Sequence, residues 1–388
     1  DGITVYNPFH GLGLFSIFDA DAIKVAEFFS GGIGVEYGRR LSSVLNIVTR
    51  DGNANRVSGK FTMGFLTGRT LLEGPLPRGS WIISARKTFF RRPLKKFLNQ
   101  EVPLSFYDLI GKLTFRSGLD SRFAAHLFLS SDDLVHPNVS EPNYFWRNRG
   151  FGLSYEQLFG DRLFADFRMT FSNFFAELDP KESQQIKPQS TKVSEVNFNG
   201  NVIYYVNPQE QLQAGLMWSI PNLETKLVNS ADLPISVKGP VSEAAIWLKY
   251  KIASWFPFII DAGARFNFAL LLSDARYVME PRIAVRYQLQ PNISIKATYG
   301  RYHQQIMTIS NEDDIISLFE SWIPVPERLV AEEADHFVGG IESTLFGRLE
   351  ISLQGYLKFF RNLITYNRDK VDRLDPDKSY VPGNVEVI

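Results

Sequence analysis

The chain has no cysteine in 388 residues. That excludes disulfides, cysteine-ligated zinc, iron–sulfur clusters and thiol catalysis. It also has no surplus of charge, with 42 Lys and Arg against 42 Asp and Glu. A nucleic-acid partner is therefore not expected, because such proteins carry a basic excess. No apolar run approaches the roughly 18 residues of a spanning helix. Histidine is scarce: His10, His126, His136, His303 and His336 include no His-x-x-x-His pair, so no metal centre is expected. There is no Gly-x-Ser-x-Gly elbow and no phosphate-binding loop. Gly11-Leu12-Gly13 and Gly32-Ile33-Gly34 lie outside any βαβ setting, which argues against a dinucleotide site. No cofactor, no catalytic residue and no enzymatic activity are expected. The chain opens on Asp1 without Met or a signal peptide. It is read as a processed or internal piece of something longer.

What is present is aromatic and periodic. Phe occurs 32 times and Tyr 15 times, too much apolar bulk for a disordered chain. Residues 162–172 place Leu163, Ala165, Phe167, Met169 and Phe171 at every second position. The same alternation returns at 282–289, 292–299 and 348–359. Successive side chains on a strand point to opposite faces, so each segment is a strand with one oily and one wet face. Fifteen strands are predicted between residues 56 and 362, several longer than about ten residues. A tilted strand crossing a bilayer needs about 9–11.

The joins alternate. Short ones fall at Pro77–Ser80, Gly118–Asp120, Phe159–Asp161, Asn207–Gln209, Ser254–Pro257, Gln290–Pro291 and Phe346–Gly347. Long ones fall near 91–104, 132–145, 178–190, 228–240, 271–279 and 305–334. The short break at Thr67–Gly68 is the exception. Transmembrane barrels have short turns on the periplasmic side and long loops outside. The fold class is therefore mainly β, a transmembrane antiparallel barrel. A soluble antiparallel sandwich, as in a β-rich binding protein, is the competing reading. Two charged loops stand out: basic Arg91-Arg92-Pro93-Leu94-Lys95-Lys96, suited to lipopolysaccharide phosphates or an anionic ligand, and acidic 311–333 with Glu312, Asp313, Asp314, Glu320, Glu327, Glu332 and Glu333. The latter lacks calcium-loop spacing.

Residues 1–52 break the alternation and are rich in glycine. Short strands are predicted at Ile3–Tyr6, Lys24–Phe28 and Ser43–Thr49, with one helical turn at Asp21-Ala22-Ile23 capped by Asp19 or Asp21. The run from Asp1-Gly2-Ile3-Thr4 to Leu14-Phe15-Ser16, continuing through Asp21-Ala22-Ile23 and Val25-Ala26-Glu27, resembles the middle of the plug domain of TonB-dependent outer-membrane receptors. The likeness is strongest at Gly31-Gly32-Ile33-Gly34-Val35-Glu36-Tyr37-Gly38-Arg39-Arg40-Leu41-Ser42-Ser43-Val44-Leu45-Asn46-Ile47-Val48-Thr49, which is similar to the plug's closing motif in receptors of the Bacteroidota-like type. Those receptors carry a second glycine where this chain has Arg39. The segments Trp322–Glu327 and Glu333–Glu342 look like a barrel stretch of the same group.

The resemblance implies residues 1–52 as the C-terminal part of an α+β plug and 53–388 as a partial barrel of about 15 of 22 strands. It implies an internal fragment lacking the first half of the plug and the last strands. It also implies energy-dependent uptake of a scarce or large ligand, with the TonB complex acting through a segment absent here. Outer-membrane lipids and lipopolysaccharide are the expected surroundings. Ferric siderophore, cobalamin, haem, oligosaccharide and peptide remain equal candidates for the ligand. A diffusion porin or structural barrel is the second reading. By the motif, Glu36, Tyr37, Gly38, Arg39 and Arg40 are the candidates for plug–barrel contact. Inward polar wall residues such as Lys249, Lys251, Asp261, Arg265, Asn267, Arg282, Arg286 and Lys296 are their candidate partners. Partly exposed pairs of roughly 0–1 kcal/mol each would suit a removable plug. Tyr144, Trp146 and Trp322, on predicted outer loops, are candidates for stacking on a ligand or for an interfacial aromatic girdle.

Overall fold

The computed structural model describes residues 1–89, 104–138, 141–181, 187–228, 234–269, 276–309, 319–326, 329–366 and 385–387. Alternating sequence becomes one long antiparallel sheet. Its strands, in chain order, are Ser58–Met63, Thr67–Leu76, Gly79–Thr88, Leu104–Ser117, Ser121–Leu134, Asn143–Phe159, Leu163–Asp179, Gln189–Asn207, Glu210–Val228, Glu243–Ile252, Phe258–Ala269, Arg276–Gln290, Ile293–Gln304, Glu332–Leu345 and Leu349–Arg361. Each pairs with its sequence neighbours, and Pro234–Pro240 adds a sixteenth strand on the long-join end of Glu210–Val228. Among the described residues no ladder joins the first strand to the last, so the wall is an open, partial barrel.

The reading of the joins survives with small shifts. The turn between the first two strands lies at 64–66, where Gly64 N–H donates to Thr67 O at 2.9 Å, rather than at Thr67–Gly68. The two longest ladders have strands of 19 residues. At about 3.3 Å per residue they exceed a bilayer core of about 30 Å even when tilted. The strands therefore continue beyond the apolar layer at the long-join end.

The two faces of the wall are inverted relative to a soluble sheet. In Leu163–Asp179, Phe167, Met169 and Phe171 are 37%, 56% and 44% exposed, while Thr170 and Ser172 on the opposite face are each 4% exposed. In Arg276–Gln290, Met279 and Ile283 face out, while Glu280 and Arg282 are buried. A sandwich buries its apolar face against a second sheet. Here the apolar face is the uncovered one, and an uncovered apolar band of this extent needs lipid. This removes the soluble reading.

The polar face is covered by residues 1–51. They fold as two short strand pairs, Phe9–His10 with Phe15–Ser16 and Ile23–Phe29 with Val44–Thr49, plus 3-10 turns at Gly11–Gly13 and Ala20–Ala22. Asp19 caps the second turn, accepting from Asp21 N–H at 3.2 Å. The strand expected at Ile3–Tyr6 does not form a ladder. This stretch runs against the wall where Gly150 leaves room for it: a Cβ there would lie 2.5 Å from Ile3 Cγ2. Side-chain packing replaces strand pairing.

At the long-join end the chain within the long join 305–334 turns inward. Ile306–Ile309 and Ser321–Pro324 pair as a hairpin. Trp322 N–H donates to Thr191 Oγ1 at 3.1 Å, and Thr225 Oγ1 donates to Trp322 O at 2.6 Å. Both threonines are buried on the inner face of the wall, so the hairpin lies inside the mouth and packs above Tyr6.

Candidate functional site

At the glycine-rich turn 31–40 segment and wall approach closely. A Cβ at Gly38 would lie 2.6 Å from Arg265 Nε, so no other residue fits there without moving a buried guanidinium. The next residue, Arg39, holds a left-handed backbone with φ of 69°. That conformation favours glycine by about 1–2 kcal/mol. The turn at Arg39 thus takes a glycine-like shape, and the arginine side chain supplies what a glycine cannot.

Arg39 Nη1 contacts Glu195 Oε1 at 2.6 Å and its Nε contacts Glu243. The side chains of Arg39, Glu195 and Glu243 are 11%, 1% and 7% exposed. Glu195 also accepts from Tyr6 Oη at 2.8 Å and Ser219 Oγ at 2.7 Å. Its two oxygens therefore join two points of the segment to the wall. Burial, followed by the Glu195 charge, pushes the Tyr6 hydroxyl far above the usual phenol range and keeps it a donor. Burial opposes the Arg39 charge, but the two carboxylates outweigh it and hold the guanidinium charged. This corrects the expectation of weak, partly exposed pairs. Removing one partner of a buried pair costs about 3–5 kcal/mol, whereas displacing the whole segment lets water hydrate both partners and costs much less.

Around Arg39 the wall reads the backbone of the turn. Arg282 Nη1 donates to Tyr37 O at 2.5 Å, to Ile33 O at 3.3 Å and to Gly34 O. Arg265 Nη1 donates to Val35 O at 3.3 Å, and Ile33 N–H donates to Tyr302 Oη at 3.1 Å. Glu36 faces Lys249 at 3.2 Å. The Tyr37 ring packs at 5.7 Å from Phe29, and burial pushes its hydroxyl up to about 12. Arg40 behaves differently. Its Nη1 donates to Arg39 O at 2.7 Å, and its guanidinium lies 5.8 Å from the Tyr6 ring and 5.4 Å from the Trp322 ring. Among the described residues it meets no wall carboxylate.

Three further anchors were not singled out by the sequence. His10 is fully buried on the Phe106 ring, with centroids 4.1 Å apart. Its Nδ1 lies 2.7 Å from Asp132 and its Nε2 3.2 Å from Asp108. Burial disfavours its charge, yet the two carboxylate hydrogen bonds prevail and raise its pKa above the ordinary imidazole value. Asp19 accepts from Ser84 Oγ at 2.5 Å and from Arg69 at 3.2 Å. Asp51, in the linker to the first wall strand, meets Lys112 at 3.0 Å and Arg122 at 2.6 Å. Burial opposes its ionisation, but those two cations bring its carboxyl down to about 2.

Of the other wall residues named from parity, Asn267 accepts from Arg265 Nε at 2.8 Å. Lys296 pairs with Glu342 on the adjacent strand, so it ties wall to wall. Tyr144, Trp146 and Trp322 converge with Tyr6 in one packed cluster rather than on outward loops. Tyr144 stacks on Trp146 at 5.6 Å, and Trp322 meets Tyr6 edge-on at 5.1 Å. Trp146 and Trp322 are 6% and 9% exposed, so neither presents an open face to a ligand or to lipid in this conformation. A cavity of about 670 Å³ remains between segment and wall, bordered by Asp1, Arg168, Asn197, Asn199, Asn201 and Gln213. Among the described residues no group of His, Asp and Glu is arranged to hold a metal. The basic loop Arg91–Lys96 lies outside the described residues, as do Glu312, Asp313, Asp314 and Glu327 of the acidic loop.

No protein-family model and no curated protein matches the chain. Solved structures do. A ferric enterobactin receptor from Pseudomonas aeruginosa (PfeA, a double mutant) superposes with a TM-score of 0.68 at 13% identity, over 92% of this chain and 61% of that one. The siderophore receptor PirA from Acinetobacter baumannii gives 0.67 at 12%, over 91% and 59%. The alcaligin outer-membrane receptor FauA from Bordetella pertussis gives 0.61 at 11%, over 97% and 62%. The likeness is one of fold, and that fold is the antiparallel barrel of TonB-dependent outer-membrane receptors. The chain spans about three fifths of the length of each of these structures.

Proposed function

We propose that this chain is part of an outer-membrane receptor that takes up a scarce or bulky ligand by TonB-coupled transport, and that it breaks no bond in that ligand. In this reading residues 1–52 are the closing part of the plug and 53–388 part of the barrel. Glu36, Tyr37, Gly38, Arg39 and Arg40 hold the plug against the wall. The observation that carries it is the two-sided wall: an uncovered apolar outer face, and a polar inner face occupied by residues 1–51 through hydrogen bonds and ion pairs. Polar contacts of this kind can be exchanged for water when the plug moves, which an apolar seal could not do without a large hydrophobic cost. We take a ferric chelate as the first candidate ligand, because similar structures are named for ferric enterobactin and alcaligin. Tyr6, Arg40 and Trp322 mark where the plug meets the mouth.

The test is deletion of residues 1–50 from the full-length gene, read alongside loss of TonB. The expected result is a leaky outer membrane, seen as sensitivity to large antibiotics, together with ligand uptake that stops when TonB is absent. Unchanged antibiotic sensitivity would remove the plug assignment. Uptake that persists without TonB would favour a diffusion porin.

A further inference from the structure

The short-turn end of the wall carries a charge pattern that the contacts of residues 1–40 do not use. Arg116 N–H donates to Arg78 O at 2.8 Å, and Arg116 lies directly opposite Arg122 in the next ladder. Arg122 in turn lies opposite Glu156. Three arginines thus stand side by side on neighbouring chain segments, which run about 4.8 Å apart. Like charges directly opposite one another destabilise a sheet.

The carboxylates that meet this row are committed to one end of it. Glu156 pairs with Arg122 at 2.8 Å. Asp51 Oδ1 takes Arg122 at 2.6 Å, Lys112 at 3.0 Å and the Thr114 hydroxyl at 3.1 Å. Arg116 approaches only Asp51 Oδ2, at 3.9 Å, which is beyond hydrogen-bond distance. Among the described residues Arg78 meets no carboxylate, and Asp120 in the neighbouring turn pairs with neither arginine. Arg78 also follows Pro77 in a tight turn with a left-handed backbone, φ 60°, where glycine or asparagine is favoured. Arg39 in the same conformation gains two wall carboxylates. Among the described residues Arg78 has no such gain.

Arg78 and Arg116 border a cleft of about 740 Å³, together with Ala54, Leu76, Ser80, Thr114 and Leu119. Both arginines and Leu119 are exposed. Thr114 is buried toward the lumen on Asp51, and Arg116 two residues on shares its face. The cleft therefore lies away from the lipid face, at the end that in a barrel faces the periplasm. Its volume suits a short peptide segment rather than a lone ion.

We propose that Arg78 and Arg116 form a docking site for an acidic peptide segment presented from the periplasm. Its carboxylates accept from the two guanidinium groups, and its apolar parts lie against Leu76 and Leu119. Asp51, Gly52 and Ala54 line the same cleft, so an occupant sits against the linker between residues 1–50 and the wall. The periplasmic placement rests on the membrane reading above. The site depends neither on the transported ligand nor on movement of the plug.

The experiment uses the full-length protein in detergent. Fluorescence anisotropy measures binding of a labelled tetraglutamate peptide to the wild type, to R78Q/R116Q and to R162Q, which removes an exposed cation from another short turn. Unlabelled tetraglutamate, tetraglutamine and acetate serve as competitors, and heat-modifiable gel mobility checks that each barrel is folded. R78Q/R116Q should bind tetraglutamate about tenfold more weakly, the size of one charge-assisted hydrogen bond partly screened by solvent. R162Q should bind as tightly as the wild type, and tetraglutamine should not compete. Equal binding by R78Q/R116Q, an equal loss in R162Q, or competition by tetraglutamine would overturn the site. Displacement by acetate at the concentration that suffices for tetraglutamate would show a small-anion site and overturn the peptide reading. Protein that leaves the cell envelope without detergent would overturn the membrane reading and the periplasmic placement, while the anisotropy would still decide the arginine site.

Discussion

Replacing Arg39 with glycine sets two consequences of one residue against each other. The left-handed backbone at φ 69° becomes easy, which favours the turn by about 1–2 kcal/mol. The side chain that neutralises Glu195 and Glu243 disappears, and their side chains are only 1% and 7% exposed. Leaving a buried charge without its partner costs about 3–5 kcal/mol. The charge term wins, and the closed position of the segment should lose about 1–4 kcal/mol. Adding Glu195→Gln and Glu243→Gln to Arg39→Gly should recover most of this, because the amides need no cation and still accept from Tyr6 and Ser219.

The chain contains no cysteine, so Ala22→Cys gives a clean reporter at a position only 1% exposed. The reporter reacts when the segment leaves the wall, and its labelling rate under native conditions follows the population of open molecules. Arg39→Gly should label roughly 5- to 1000-fold faster than the parent, and the triple substitution should return close to it, with barrel folding checked by gel mobility. Equal rates in parent and Arg39→Gly would refute the claim that the buried pairs hold the segment. Slower labelling in Arg39→Gly would show that backbone strain outweighs charge at this position.

Two of the further anchors, His10 and Asp51, carry opposite pH signatures. The His10 pKa is raised in the closed state, so its contribution is complete below about 6.5, the free imidazole value, and fades as pH rises through the raised value. Labelling of the Ala22→Cys reporter should accelerate on the alkaline side in the parent and lose that dependence in His10→Gln; a flat parent profile would remove the imidazolium bridge between Asp108 and Asp132. Asp51 sits at about 2 in the closed state, so its contribution is present above its ordinary value of about 3.9 and is lost as pH falls through about 2. Asp51→Asn should loosen the linker at neutral pH, seen as faster proteolysis near Gly52, and should flatten the acid dependence seen in the parent; unaltered proteolysis would mean that Lys112 and Arg122 do not hold the linker.

How far the sequence could be read follows from the kind of information each contact uses. Period-two alternation is a property of one strand, and it placed the wall strands to within a few residues. Which side of the sheet faced lipid was not in the alternation itself. It needed the length of the strands and the unequal joins, and the burial of Thr170 beside exposed Phe171 then decided it. The register of the wall was open because each ladder pairs residues from two distant segments. Parity could therefore mark Lys249, Arg265 and Arg282 as inward, but could not say that two of them would reach carbonyl oxygens of the turn rather than its carboxylate. Glu195 and Glu243 were invisible for the same reason, since each is one polar residue among many on the inner face. Trp322 looked like a loop aromatic because nothing local to 306–324 announces that this hairpin turns inward; its anchors, Thr191 and Thr225, lie about a hundred residues away in the chain. Arg39 is the converse case. The departure from glycine was legible, but its meaning required the two carboxylates that offset the backbone strain. A motif position can thus change its residue and retain its backbone shape when the new side chain gains more from the wall than the left-handed turn costs.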